Sequence, residues 1–124
     1  MAIDYGQARM GLALSDELGL FAFPYKTLAR QNTPEILAAI FRICEEEGVT
    51  EVVIGDPITH RGEVTEAGWR IRGFVDLLRE NLHCPVALEN ERFSSRLAFQ
   101  QGASDRDSGA ACVILQGYLD RLHN

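Results

Sequence analysis

Two short, uninterrupted apolar runs, Val52-Val53-Ile54 and Pro85-Val86-Ala87-Leu88, each follow a stretch with helical periodicity. A strand that is apolar at every position has no solvent face and must be covered on both sides. Strands separated by a helix need crossover connections, which are right-handed and leave the strands parallel. The chain is thereby committed to a layered α/β fold around a buried sheet.

The N-terminal third adds antiparallel material. Met1-Ala2-Ile3-Asp4-Tyr5 is short and apolar, Met10 to Ser15 alternates large with small side chains, and Phe21, Phe23 and Tyr25 alternate with Ala22, Pro24 and Lys26. A period of two predicts strands. Pro24 cannot donate to a ladder, which predicts a sheet edge for the third. A first helix is expected with Thr33 as N-cap, Pro34 at its first position, Ile36, Ile40, Ile43 and Cys44 on one face, and Gly48 at its end. A second runs from Thr65 to Leu82, with Ala67, Ile71, Phe74, Val75, Leu78 and Leu82 as its stripe. Within it Gly68 and Gly73 each cost about 1 kcal/mol relative to alanine, so packing must hold it. A third, from Asp105 to Leu122, carries Ala111, Ile114, Leu115, Tyr118 and Leu122. The order β-β-β-α-β-α-β-α predicts a mixed five-stranded sheet with helices on both faces, the ribonuclease H-like topology, as one domain over residues 1–124.

Twelve basic against eighteen acidic residues give a net charge of −6, which argues against a phosphate binder working through bulk charge. A local arginine patch or bound divalent cations can still reverse the sign where it matters. All the basic residues except Lys26 are arginine, whose planar fork suits phosphate oxygens. Three cysteines, Cys44, Cys84 and Cys112, form no C-x-x-C pair. A reduced cytoplasmic chain with buried thiols, and no membrane span, is expected.

In an open α/β sheet, sites form beyond the carboxyl ends of the parallel strands. Asp4, Asp56, Glu89, Glu91, Asp105 and Asp107 all fall there. Like charges gathered closely repel, and a divalent cation stabilises them; hard oxygen donors favour Mg²⁺ or Mn²⁺ over zinc. Each acid also has a structural explanation. Asp107 follows Ser104 in a capping-box spacing, Glu91 can pair with Arg92 or Arg96, Asp56 reads as a loop acid near a metal, and Asp16 as a turn residue. Asp4 is the hardest to explain structurally, because a carboxylate between Ile3 and Tyr5 in a central strand is costly unless compensated.

Asp4-Tyr5-Gly6-Gln7-Ala8-Arg9-Met10-Gly11-Leu12-Ala13-Leu14-Ser15-Asp16 resembles the D-Y-G-x-x-R-x-G-x-A-x-S-D opening of the YqgF/RuvX proteins. Gly55-Asp56-Pro57 with Gly62, Glu91-Arg92-Phe93-Ser94-Ser95, and Asp107-Ser108-Gly109-Ala110-Ala111 running into Ile114-Leu115-Gln116-Gly117-Tyr118-Leu119 resemble three further blocks of that family, in order. The chain departs from the pattern at Asn90, where an aspartate is usual, at Asp56, where leucine or phenylalanine is common, and in a shorter first strand.

The resemblance implies a ribonuclease H-like nuclease whose carboxylates hold Mg²⁺ or Mn²⁺, with Asp4, Glu91 and Asp107 as the catalytic, metal-binding acids. It implies metal-assisted phosphodiester hydrolysis in maturing the 5′ end of pre-16S rRNA, with Arg9 and Arg92, and more weakly Arg61 and Arg96, gripping phosphates. A rival is Holliday-junction resolution, which needs two active sites and hence a C₂ dimer; Trp69 beside Arg70 and Arg72 is a candidate dimer surface. A second rival is a non-catalytic nucleic-acid-binding module. The partner is nucleic acid in either case, for a monomer or homodimer.

Overall fold

The sheet has the order β3-β2-β1-β4-β5, with β1 (Ala2–Tyr5) at its centre. Strands β1, β2 (Arg9–Ser15) and β3 (Ala22–Ala29) form an antiparallel meander. Strand β4 (Val52–Asp56) runs parallel to β1, and β5 (Val86–Asn90) runs parallel to β4. The computed structural model describes residues 1–29, 32–57, 61–90 and 106–123, of which 106–108 through the backbone alone. Helix α1 (Thr33–Glu47) precedes β4, α2 (Glu66–Asn81) precedes β5, and α3 (Arg106–Leu122) ends the chain. No helix among the described residues is long and apolar enough to cross a membrane.

The alternation of large and small residues in β2 decides what covers each face. Met10, Leu12 and Leu14 join Ile3, Val52, Ile54 and Val86 against Ile36, Ile40 and Ile43 of α1 and Ile71, Phe74, Val75 and Leu78 of α2. On the opposite face Ala2, Ala13 and Val53 meet Ala111, Ile114, Leu115 and Leu119 of α3. Small side chains there let α3 approach the sheet closely, and close packing is what makes the burial worthwhile. Ile3, Ile54 and Leu78 are fully excluded from water, each contributing roughly 1.5–3 kcal/mol.

Strand β3 is an edge strand, as Pro24 requires. Its register with β2 shifts between Leu12 and Ala13, which pair with Lys26 and Pro24, so Tyr25 is an extra residue in the ladder. Asp16 is a turn residue as expected: its carboxylate accepts from the amides of Leu20 and Phe21. Those amides, Leu20 first, hold its carboxyl below the usual range.

Three expectations need correction. The N-cap of α1 is Asn32, whose side-chain oxygen accepts from the Glu35 amide at 3.0 Å, and Thr33 is already helical. Leu122 is 58% exposed, because the apolar stripe of α3 leaves the sheet after Leu119. Cys84 is half-buried, while Cys44 and Cys112 are buried. Gly48 closes α1 as expected, and Thr65, read as the start of α2, caps it by accepting from the Gly68 amide, while the Ser104–Asp107 capping box lies outside the described residues. Residues Arg30 and Gln31, which lead into α1, lie outside the described residues.

The Asn32 cap has a measurable consequence. Asn32→Ala is expected to lower stability by about 1 kcal/mol in urea unfolding, and Thr33→Ala by only a few tenths. The reverse ranking would return the cap to Thr33.

Candidate active site

The register gathers a row of residues at the carboxyl end of the parallel strands. Asp4 pairs with Gly11 of β2, Ile3 with Ile54 of β4, and Gly55 with Glu89 of β5. One step beyond the Ile3–Ile54 pair, Asp4 comes to lie beside Gly55. Side chains alternate between faces along a strand, and Ala2 packs toward α3, so Asp4 faces α3 as well. The row on that face is therefore Gly11, Asp4, Gly55, Glu89. The residues directly beside the half-buried Asp4 on the two flanking strands are both glycines.

Helix α3 covers this face with its first turn toward Asp4. Its later residues are fixed at the far end: Gln116 bonds the Leu20 carbonyl and the Ala22 amide, and the Tyr118 hydroxyl donates to Glu51 at 2.7 Å. Ala111 is fully buried against the sheet, and residue 107 stands one turn earlier on the same helical stripe. The backbone thus places residue 107 at the end of the face that bears Asp4. Glu91 follows directly on Asn90, the last residue of β5, and with Arg92, Arg96, Ser94, Ser95 and Asp105 lies outside the described residues.

Two of the expected arginines are described at this end. Arg9 is exposed, opens β2, and shares the face of Gly11 two residues on. The turn before it is tight, with the Gly6 amide donating to the Arg9 carbonyl at 3.0 Å. A Cβ at Gly6 would sit 2.4 Å from that oxygen, so only glycine fits. Arg61 is exposed in the turn between β4 and α2.

Two ion pairs at this end were not legible in the sequence. Asp56 is 7% exposed and closes β4 on the α2 face, away from Asp4. Arg72 grips it with two bonds, 3.0 Å to Oδ1 and 2.7 Å to Oδ2, and also donates to the Gly68 carbonyl. A Cβ at Gly68 would lie 3.0–3.2 Å from Val64, Asp56 and Arg72. The glycine that weakens α2 as a helix is what lets its first turn reach the strand end. Asp56 is therefore a structural acid held by arginine rather than a loop acid beside a metal. Arg72, stacked over Trp69 at 5.7 Å, is correspondingly engaged inward. Glu89 pairs with Arg121 of α3, whose guanidinium passes the bare Gly117 at 3.9 Å from where a Cβ would stand. An aspartate replacing an apolar residue at 56 was the one sequence signal for the first pair; the second had none.

The donor chemistry at this end suits a hard cation. Asp4 offers carboxylate oxygens, and the described residues around it, Tyr5, Gly6, Arg9, Gly11, Gly55 and Asn90, bring no thiol or imidazole. Such a set fits Mg²⁺ or Mn²⁺ rather than zinc. Among the described residues no three His, Cys, Asp or Glu side chains form a metal cluster; Glu91 and the Asp107 side chain are not among them.

Comparison with known proteins finds one family along nearly the whole chain. The family model described as "RuvX: Holliday junction resolvase" matches residues 1–121. A protein of Maridesulfovibrio salexigens named "Putative pre-16S rRNA nuclease" is 37% identical, covering 98% of this chain and 97% of its own length. Proteins of the same name from Chloroflexus aggregans and Salinibacter ruber are 37% and 36% identical, covering 100% and 98% of this chain and 94% and 92% of theirs.

The Asp56–Arg72 pair yields a double-mutant test. Asp56→Leu alone leaves a cation without its partner and is expected to cost about 2–3 kcal/mol, discounted for the partial exposure of Arg72. Asp56→Leu with Arg72→Met is expected to recover most of that loss in urea unfolding, and additive losses would show that the two side chains act independently.

Proposed function

The chain belongs to the RuvX family, and from that premise we infer that it is a cytoplasmic, divalent-metal-dependent nuclease that hydrolyses phosphodiester bonds near the 5′ end of pre-16S rRNA. The observation that carries this reading is Asp4: a half-buried carboxylate on the central strand, between glycines on both sides. It stands at the end of the sheet from which the chain runs on from β5 into Glu91 and toward which α3 begins, so acids from three elements are available to share one cation there.

Asp4, Glu91 and Asp107 would hold the Mg²⁺ or Mn²⁺. The chemistry such a cation would supply is acidification of a water and compensation of charge on the departing oxygen. The remaining work belongs to the chain. Arg9, on the face and end of the sheet that carry Asp4, grips a phosphate of the substrate strand through its planar fork. Arg92 does the same from the segment after β5, with Arg61 and Arg96 contributing further contacts. The tight Gly6 turn keeps the backbone low between Asp4 and Arg9, so the nucleic acid can approach both. Asp56 and Glu89, each neutralised by an arginine, limit the negative charge that repels a polyanion.

A second reading, supported by the description of the family model, is resolution of four-way DNA junctions. That requires two sites related by a two-fold axis.

The test uses purified protein with Mn²⁺ or Mg²⁺, offering a pre-16S 5′ leader RNA and a four-way DNA junction in parallel. Cleavage of the RNA is expected, lost in excess chelator. Asp4→Asn is expected to reduce the rate by roughly three orders of magnitude or more while leaving the circular dichroism spectrum and unfolding midpoint nearly unchanged. Undiminished cleavage by Asp4→Asn would remove the mechanism, and preference for the junction would shift the reading to resolvase. Binding of RNA without cleavage at any metal concentration would make the chain a binding module.

A further inference from the structure

The opposite end of the sheet holds a feature that the nuclease reading does not use. Cys44, in the last turn of α1, belongs to the core, and Cys84, between α2 and β5, packs against the same cluster from its half-buried rim. Both line one cavity of about 450 Å³, together with Phe41, Leu82, His83 and Pro85. Phe41, one turn before Cys44, and His83, beside Cys84, bring their rings to 5.8 Å across the same cavity. The two thiols are forty residues apart in the chain, so only the tertiary fold brings them together. Cys112, a residue of α3, packs on the other face of the sheet.

We propose that Cys84 and Cys44 form a reversible intramolecular disulfide when the protein meets a hydroperoxide, with Cys84 attacking and Cys44 resolving. The division of roles follows from exposure. Cys84 is reached from the cavity, whereas Cys44 is buried, and burial followed by the neighbouring Cys84 sulfur pushes its thiol up to about 11. Cys44 therefore stays protonated and shielded, which leaves the more accessible Cys84 to meet the oxidant first. In the first step the Cys84 sulfur attacks one peroxide oxygen. An S–O bond forms, the O–O bond breaks, and hydroxide departs and takes up the thiol proton as water. In the second step the Cys44 sulfur attacks Cys84, the S–S bond forms, the S–O bond breaks, and the hydroxyl leaves with the Cys44 proton as a second water. Two thiols and one hydrogen peroxide thus give one disulfide and two waters, with two electrons passing to the peroxide.

The linkage would tie the end of α1 to the entry of β5, at the amino end of the parallel strands and away from Asp4. It closes a loop of about forty residues, a length for which cross-linking removes substantial unfolded-state entropy. The proposal stands independently of the nuclease reading.

Peptide mapping of the intact protein after a slight molar excess of hydrogen peroxide provides the test. The expected result is a single peptide pair joining Cys44 to Cys84, two hydrogens lighter than its reduced parts, released by dithiothreitol, with Cys112 still free. The oxidised protein is expected to melt on the order of 10 °C higher than the reduced protein. In Cys44→Ser, Cys84 is expected to stop as sulfenic acid and to be captured by dimedone. Wild-type protein carrying Cys84 only as sulfinic acid, or a cross-link to Cys112 or between molecules, would overturn the proposal. Because that reading is made on wild-type protein, it stands even where a variant folds poorly.

Discussion

A carboxylate in the middle of a sheet sets the terms for everything around it. Asp4 sits on the central strand, with β2 on one side and β4 on the other, so it cannot escape to solvent past an edge. Its neighbours on the α3 face are Gly11 and Gly55, which leave room around it. A charge in that setting needs compensation from a ligand or a polar group brought in by other elements. The rest of the chain supplies those elements at one end of the sheet: the turn leading to Arg9, the segment after β5, and the start of α3.

Charge at that end is sorted by face. Asp56 and Glu89 end neighbouring strands, yet their side chains lie on opposite sides of the sheet. Each is held by an arginine from the helix covering its side, Arg72 from α2 and Arg121 from α3. The first pair depends on a missing side chain, because α2 approaches the strand end through Gly68. Both acids are thereby neutralised on their own faces. A polyanionic substrate approaching a chain of net charge −6 depends on such local cancellation, since electrostatic attraction falls off within about a Debye length.

The two ends of the sheet divide the chemistry. The carboxyl end carries oxygen donors and arginines and suits a phosphodiester with a hard cation. The amino end carries the thiol pair, where burial in the α1–α2 core keeps Cys44 protonated.

Local pattern was enough to define the framework. The period-two segments, the unbroken apolar runs and the helical stripes specified eight elements in order, because burial imposes those periods directly on the sequence. Pro24 marked the edge strand through its missing donor, and Asp4 was identifiable because a carboxylate has no place in an apolar strand without a reason. Finer matters belonged to three-dimensional structure. Asn32 rather than Thr33 caps α1, since both residue types can accept an amide bond and only backbone geometry chooses. Leu122 falls outside the core because the axis of α3 diverges from the sheet. The Asp56–Arg72, Glu89–Arg121 and Cys44–Cys84 pairings join residues remote along the chain, and an interaction between distant residues leaves no periodic trace. The sequence by itself determined which faces are apolar and where an anomalous charge lies; packing alone decided which side chain answers each charge, because that depends on distances set by the whole fold.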